Sequence, residues 1–422
     1  MIGVCKTKVS SNRYGRRNRQ FGVAMPLVVI AMVAMLAIAG LAMDSSHAFV
    51  NKTRLQNMAD AAALAAAKVY DDTANTIPGI AAANSLFGIN TDGSGNFEID
   101  GAYDAGDITV IVQWSPTLNP FTPSGIGPYV RVIATGFNMA TGLSAVIGIT
   151  SMDIAASAVA GPSPTIDNTV CNIAPLVVCA NNINADYYCF IQTDLMVLKP
   201  SPGDHGDVGP GNFKLLRLDC PGGDCVRNAM AGDFDACAST DEDVETEPGV
   251  TAGPTSQGFN TRFGVYNGPI SPGDYPPDLV VHQTSPPLDT YLDASDNDVI
   301  TWGGQTVTNA SNIEGYDYSD YLSRNANPLQ HDFPAPVGVK GRRVLTMPVA
   351  DCDGEQPGQS TLEVKGFACY FMLQQIGGGQ DKNIFGQFVD KCVASGAPGM
   401  DTGSGPGPYI IQLYKDPDSG DS

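Results

Sequence analysis

The sequence is poor in positive charge, and its charged residues are few. Of its 422 residues, 23 are lysine or arginine and 44 are aspartate or glutamate, which gives a net charge of −21. Contacts to nucleic-acid phosphates require clustered cations, so we expect no nucleic-acid partner. Only 16% of the residues are charged, whereas 47 glycines and 30 prolines indicate many loops. This composition is not that of an ordinary cytosolic enzyme.

The motifs of common catalytic and metal centres are also missing. The four histidines are far apart in the sequence, which contains no HExxH, no GxSxG and no Walker-type loop. No two cysteines form the CxxC pair with which many zinc sites begin. We therefore expect no catalytic residue, no cofactor and no metal site, and we interpret the protein as a non-enzyme.

Three short stretches imitate known sites but are better explained as solvated turns. Residues 401–404 read Asp-Thr-Gly-Ser, as in aspartic proteases, but the only candidate partner, Asp418, lies 17 residues away in the same Gly/Pro-rich tail. Residues 90–98 place oxygen-bearing side chains at alternate positions, but Gly101 stands where a calcium loop needs a bidentate glutamate. The acidic run at 241–247 is interpreted as a solvated loop.

A long uncharged run follows a basic tail near the N-terminus. Residues 1–20 contain six lysines or arginines and no acid, and residues 21–43 contain no charge over 23 positions. As a helix, this run would extend about 35 Å, compared with about 30 Å of bilayer hydrocarbon. Because lysine and arginine favour the cytoplasmic side, we expect residues 1–20 in the cytoplasm, a transmembrane helix over 21–43, and residues 44–422 outside the cytoplasm.

The apolar run is predicted to continue into an alanine-rich stalk helix. Residues 44–70 lack glycine and proline and are rich in strong helix formers. Five apolar residues recur at alternating steps of three and four, like a heptad seam: Leu55, Met58, Ala62, Ala65 and Val69. One interpretation is a seam for a partner helix, which belongs to another protein or to a second copy of the chain. The other is a face that packs on the domain that follows.

The run RLQNMADAAALAAA, which begins at Arg54 and directly follows a single apolar span, resembles the TadE/TadG-like N-terminal region of the tight-adherence family of Flp pilus-assembly proteins. The similarity is close over residues 18–70. The residues that match the family motif are Arg54, Leu55, Gln56, Asn57, Ala59, Asp60, Ala61 and Leu64. The resemblance implies a bitopic inner-membrane protein without catalytic activity. Its implied partners are the membrane and other pilus-assembly or pilin-like proteins.

Two alternative interpretations of the apolar run involve cleavage. A secretory signal peptide has an apolar core of about 7–15 residues, whereas this run is longer and leads without a break into a helical sequence. Gly22 after a basic stretch fits a prepilin-type signal. However, residues 23–27 lack the glutamate that a major pilin would have there, and they include Pro26. We therefore expect an uncleaved anchor.

The outer region is predicted to be a loop-rich α+β fold of two parts. Residues 71–165 are interpreted as a small α+β domain, with a short helix over 137–148, and residues 166–422 as a loop-rich, cysteine-containing domain. Strands are predicted over 108–114, 129–135, 150–160, 343–349, 367–374 and 409–414.

Nine of the ten cysteines follow the apolar run, and the tenth is Cys5. If the outer region is in an oxidising compartment, disulfides are the expected state of these nine. An odd number leaves at least one thiol free or paired between chains, and the spacing does not fix the connectivity.

Together these features predict a membrane-anchored protein of pilus assembly or pilus anchoring, with a non-catalytic periplasmic domain for adhesion or contact with the cell envelope. The alternatives are an envelope-anchored hydrolase with an unrecognised carboxylate site, and a structural protein secreted after signal cleavage.

Overall fold

The structure is a computed structural model, and it describes residues 24–199, 212–217, 222–234, 236–249, 251–294, 298–313, 316–326, 332–333, 337–352, 358–377, 383–396 and 405–419. The predicted cytoplasmic tail, the first three residues of the apolar run and the protease-like stretch at 401–404 lie outside the described residues.

One helix of 50 residues, α1 (Ala24–Thr73), joins the predicted transmembrane and stalk segments. Among the described helices, α1 is the one that is long and apolar enough to cross a membrane. Its first part exposes large apolar side chains from Met25 to Met43. The predicted fold class is confirmed, because this long apolar helix is followed by a mixed α+β region with several sheets and disulfides.

The described helices after α1 are short, and the strands are numerous. The helices are α2 (Thr76–Thr91), α3 (Phe97–Asp104), α4 (Gly223–Ala231), α5 (Ala252–Asn260) and α6 (Tyr318–Ala326). The strands are β1 (Thr109–Ser115), β2 (Tyr129–Ala140), β3 (Ser151–Pro162), β4 (Thr169–Cys171), β5 (Val178–Cys179), β6 (Leu195–Lys199), β7 (Asn212–Leu216), β8 (Cys237–Ser239), β9 (Asp243–Pro248), β10 (Leu288–Leu292), β11 (Asp298–Trp302), β12 (Gln305–Thr306), β13 (Val344–Ala350), β14 (Thr361–Met372), β15 (Ile384–Val389), β16 (Lys391–Val393), β17 (Ser395–Gly396), β18 (Gly407–Tyr409) and β19 (Ile411–Tyr414).

The described strands form two larger sheets and three small ones. A four-stranded sheet has the order β1-β2-β3-β19. A seven-stranded sheet has the path β5-β13-β14-β15-β6, with β9 paired to β14 and β7 paired to β9. The small sheets are β10-β11-β12, β17-β4-β8 and β16-β18.

By its internal contacts the chain divides into two compact units. The first holds the chain up to Met58 together with Asn90–Val110 and Ala134–Ala156. The second holds Ala59–Ile89, Ile111–Ile133 and the chain from Ser157 onward. The division of the outer region at residue 165 stays a prediction, although β19, near the C-terminus, pairs with β3 of the predicted small domain.

Strand β14 forms the centre of the second unit because both of its faces are apolar. Ala368, Tyr370 and Met372 belong to one buried cluster, whereas Cys369 and Phe371 belong to another. Alternate residues of a strand point to opposite faces, so a continuous apolar run can bury both of them. The predicted strand at 367–374 is confirmed for residues 367–372, and it begins earlier than expected, at Thr361.

Two predicted elements are corrected by pairing that is distant in sequence. The helix expected over 137–148 is absent, because β2 extends to Ala140 and only a 3-10 turn, Ser144–Ile147, follows. The strand expected over 409–414 is interrupted at Ile410. Strand β18 pairs with β16, whereas β19 pairs with β3, so the backbone changes sheets at that residue.

The expected disulfides are confirmed. Three pairs have both partners described: Cys171–Cys237, Cys179–Cys352 and Cys369–Cys392. Cys225 is also disulfide-bonded. Cys189 is free and exposed, in agreement with the odd number of outer cysteines.

Candidate functional site

The second half of α1 buries a broad stripe of small apolar side chains. The buried members are Leu55, Met58, Ala59, Ala62, Ala63, Ala66 and Ala67. Their steps of three and one residues are typical of an amphipathic helix that packs on a folded core, since this spacing keeps them on one side of a helix with 3.6 residues per turn. Because alanine side chains are short, the backbone of α1 can lie close to the elements that pack against this stripe.

The predicted seam coincides with this stripe only in part. Leu55, Met58 and Ala62 are buried within the chain, whereas Ala65 and Val69 are half-buried. A straight α-helix drifts by about 20° per heptad from a strict 3.5-residue repeat, which moves the buried stripe away from Ala65 and towards Ala66. Packing of α1 on other parts of the same chain accounts for the apolar character of Leu55, Met58 and Ala62. A seam for a partner helix stays a prediction.

The opposite face of the same helix is more accessible. Asn57 and Lys68 are exposed, and Asp60, Ala61 and Leu64 are half-buried. At 100° per residue these five positions lie on the side of α1 that faces away from Leu55 and Ala62. The family motif therefore has members on both faces: Leu55 and Ala59 on the buried face, and Asn57, Asp60, Ala61 and Leu64 on the accessible one. Arg54 and Gln56, at the border, are half-buried.

Polar contacts hold α1 within the first compact unit just beyond its apolar part. The Asp44 carboxylate accepts hydrogen bonds from the backbone N–H groups of Gly142 at 3.1 Å and Ser144 at 2.7 Å. These bonds, above all the one from Ser144, hold the pKa of Asp44 below its ordinary value. The charged form is favoured because it accepts hydrogen bonds.

Two further anchors follow along the helix. The side-chain amide of Asn51 donates to the Glu98 carboxylate at 2.7 Å, and His47 lies 3.0 Å from the same carboxylate. Arg54 donates from its guanidinium to the carbonyl of Gly95. The loop at 90–98, which resembled a calcium loop in the sequence, thus forms part of the contact with α1.

A cleft of 660 Å³ lies at the C-terminal end of α1, within the second compact unit. Its walls come from α1 (Lys68, Asp71, Asp72), from α6 (Tyr318, Tyr321), from residues 391–396 and from residues 409–411. Its volume is in the range of small-molecule sites. The Cys369–Cys392 disulfide fixes the strand that forms one wall.

The acidic and phenolic groups of this cleft are paired with one another. The Tyr409 hydroxyl donates to the Asp71 carboxylate. Burial raises the pKa of Asp71 despite this bond, and burial together with the Asp71 charge raises the pKa of Tyr409. Burial also raises the pKa of Tyr318 to about 12. Both tyrosines therefore stay protonated and serve as hydrogen-bond donors rather than as bases.

The cations of the cleft are partly neutralised. Lys340 forms an ion pair with Asp72 at 3.3 Å. Tyr321, which also lines the cleft, donates its hydroxyl proton to the buried carboxylate of Asp278. The part of the chain that the structure describes contains no group of three or more His, Cys, Asp or Glu side chains placed to hold a metal ion.

Sequence reasoning did not single out the cleft residues. Asp71, Tyr318, Lys340 and Tyr409 are separated by 22 to 338 positions in the sequence, and none of them belongs to a recognisable motif. They meet because α1 ends where α6 and β18 pass, which is a property of the tertiary structure alone.

Comparison with known proteins finds a family similarity over most of α1. Residues 22–69 match the model of the Tad family, described as putative Flp pilus-assembly TadE/G-like. This match confirms the resemblance inferred from the sequence, and it covers the apolar part of the helix together with the whole buried stripe from Leu55 to Ala67. No curated protein and no solved structure matches the chain.

Proposed function

We propose that the protein is a membrane-anchored component of Flp pilus assembly or pilus anchoring, with a non-catalytic binding region beyond α1. The observation that supports this most is the family match at residues 22–69. This segment contains both an exposed apolar part, which suits lipid, and an alanine-rich part that the chain itself buries. One helix thus connects an anchor to a folded region.

The proposed location is the inner membrane, with one span, the N-terminus in the cytoplasm and the remainder in the periplasm. The six cations before the apolar run favour this orientation, because lysine and arginine are retained on the cytoplasmic side. The disulfides favour an oxidising compartment for the outer region. In that compartment the outer region would contact the pilus or the cell envelope.

Contact with another pilus-assembly protein is proposed for the accessible face of α1, which includes Asn57, Asp60, Ala61, Leu64 and Lys68. The chain leaves this face at least partly uncovered, although half of the family motif lies on it. The buried face already has an intramolecular partner.

Neighbouring alanines allow a matched test in cells that assemble the pilus. Ala62→Glu places a carboxylate at a fully buried position and should destabilise the protein on the order of several kcal/mol, which lowers its level. Ala61→Glu makes the same chemical change on the accessible face, so we expect a normal protein level and fewer pili. Ala65→Glu tests the predicted partner-helix seam at a half-buried member.

The readout is the number of pili per cell at matched protein level, in a strain whose chromosomal gene is deleted. Normal piliation with Ala61→Glu would exclude the accessible face as an interface. Normal piliation in the deletion strain itself would contradict the proposed function.

A further inference from the structure

The loop between β2 and β3, residues 141–150, lies against α1 at the end of its apolar part. A Cβ atom placed on Gly40 would come within 2.6 Å of the Leu143 Cβ, so the two backbones are in close contact. One helical turn further on, the Asp44 carboxylate holds the backbone N–H groups of Gly142 and Ser144. The loop is therefore fixed in height along the helix by two independent contacts within the first compact unit.

The side chains of this loop are unusually apolar for an exposed turn. Residues 141–150 contain no charged residue. Four large aliphatic side chains are exposed on it: Leu143 (44%), Val146 (69%), Ile147 (45%) and Ile149 (37%). Single exposed apolar residues are common on soluble proteins, but a contiguous group of this kind marks an interaction site.

Several backbone groups of the loop are satisfied by hydrogen bonds within it. The N–H of Val146 donates to the Leu143 carbonyl, that of Gly148 to Ala145, and that of Ile149 to Ser144. The loop is closed at its base by a bond from the Thr141 N–H to the Thr150 carbonyl. Backbone groups paired in this way can leave water at a low cost, which is the main requirement for entering a lipid environment.

The position of the loop coincides with the end of the apolar part of α1. Gly40 precedes Met43, the last residue of the uncharged run, by three residues, or about 4.5 Å along a helix. If α1 spans the bilayer, Leu143 lies at the boundary between the hydrocarbon and the headgroups.

We propose that residues 141–150 form a second membrane contact, in which Leu143, Val146, Ile147 and Ile149 insert into the leaflet nearest the outer region. This inference rests on the proposed membrane anchor. The lipid of that leaflet covers the apolar loop, because the loop and the apolar helix form one continuous surface at Gly40. The inserted loop fixes the height and the rotation of the first compact unit on the bilayer.

Tryptophan quenching by brominated lipid tests the insertion. The full-length chain is reconstituted in nanodiscs of phosphatidylcholine with or without bromine on the acyl chains, and the emission of each variant is compared with that of the wild type, which contains Trp114 and Trp302. For Val146→Trp we expect added emission that is blue-shifted and lost in brominated nanodiscs. Ile147→Trp provides a second site if the first variant does not fold.

Two control positions separate the loop from the anchor. Met35→Trp lies in the exposed apolar part of α1 and should be quenched. Ser94 is exposed and adjacent to Gly95, whose carbonyl accepts a hydrogen bond from Arg54. Arg54 lies 11 residues, or about 16 Å along the helix, beyond Met43. A tryptophan introduced by Ser94→Trp should therefore not be quenched.

Quenching at position 35 without quenching at 146 and 147 would overturn the loop insertion and leave the anchor intact. An absence of quenching at position 35 would overturn the anchor, and the loop insertion with it.

Discussion

At the scale of single residues, Arg343 shows how the interior of the second unit is held. Its side chain is buried, and its guanidinium donates to the carbonyls of Met372, Leu373, Val280 and His282 at 2.7 to 3.1 Å. Burial lowers its pKa to about 10, so it remains charged at neutral pH. The planar fork of arginine can bind carbonyls on several sides at once, which the ammonium of lysine cannot do.

Arg343→Lys should therefore destabilise the protein strongly. We expect a loss on the order of 3 kcal/mol in the free energy of unfolding, because several buried carbonyls lose their donors. Arg217→Lys is the control, since the Arg217 side chain is 34% exposed and its ion pairs, with the exposed Glu245 at 4.0 Å and the buried Glu247 at 3.6 Å, are also open to the lysine ammonium, so it should cost clearly less than Arg343→Lys. Urea denaturation of the full-length chain measures both. Equal losses in the two variants would contradict the assigned role of Arg343.

A second residue-scale prediction concerns the pH dependence of stability at Asp71. Burial raises the pKa of this carboxyl in the folded state above its ordinary value of 3.8. A raised pKa means that the folded state binds the proton more tightly than the unfolded state does. The resulting stabilisation is complete below pH 3.8 and is lost as the pH rises through the folded-state pKa.

Asp71→Asn removes this titration, so its melting temperature should fall less than that of the wild type as the pH is raised from the acid range towards neutrality. Asp104→Asn, a substitution of the same chemistry at the end of α3, is the control and should follow the wild type. Thermal unfolding across the pH series is the measurement. A wild-type pH profile in Asp71→Asn would show that burial does not destabilise the charged form.

At the scale of elements, the contact between α1 and the loop at 141–150 depends on Asp44. The carboxylate accepts backbone hydrogen bonds that hold its pKa below the ordinary value. This contribution is therefore present above the unfolded-state pKa and is lost only as the pH falls through the lower folded-state pKa. The loop should stay attached to the helix at any pH near neutrality.

Asp44→Ala should release the loop without unfolding the protein. We expect faster amide hydrogen exchange in residues 141–150, because the N–H groups of Gly142 and Ser144 lose their acceptor. Ser45→Ala, at the adjacent exposed position, should leave the exchange rates unchanged. Mass spectrometry of the exchanged full-length chain distinguishes the two. Unchanged protection in Asp44→Ala would mean that the apolar contacts alone hold the loop.

At the scale of the whole molecule, the redox state of the cysteines indicates whether the outer region lies in an oxidising compartment. In protein taken from the native compartment and denatured without reductant, an alkylating reagent should modify Cys189, which is free. Cysteines 171, 179, 237, 352, 369 and 392 should resist, because they are paired. Mass spectrometry of unreduced peptides is the measurement, and Cys189→Ser is its control. Labelling of the paired cysteines would place the outer region in a reducing environment.

Topology is the second prediction at this scale. In the proposed orientation, a reporter enzyme that functions only outside the cytoplasm should be active when fused after Asp44, because basic residues before an apolar run favour retention of the N-terminus in the cytoplasm. Replacing the six cations of residues 1–20 with glutamine should weaken this orientation. Activity of a cytoplasm-only reporter at the same fusion point would reverse the proposed arrangement.

Several strands could be predicted from the sequence because their pattern is local. The β-branched run at 108–114 and the apolar run at 367–374 form β1 and part of β14, as expected. The failures occur where distant residues decide the structure. The stretch after Phe137 continues as β2 instead of forming a helix, and it ends in a turn bound by Asp44, about 100 residues earlier.

The sequence by itself determined the long helix α1 and its apolar first part, since helix propensity and hydropathy depend on neighbouring residues only. It also determined that the outer cysteines would pair, but not which ones. Only the tertiary structure decided which face of α1 is buried: Ala67, which the heptad places outside the seam, is 1% exposed. It also brought Asp71 and Tyr409 together across 338 positions. Contacts of this kind depend on how elements pack, and no local pattern records them.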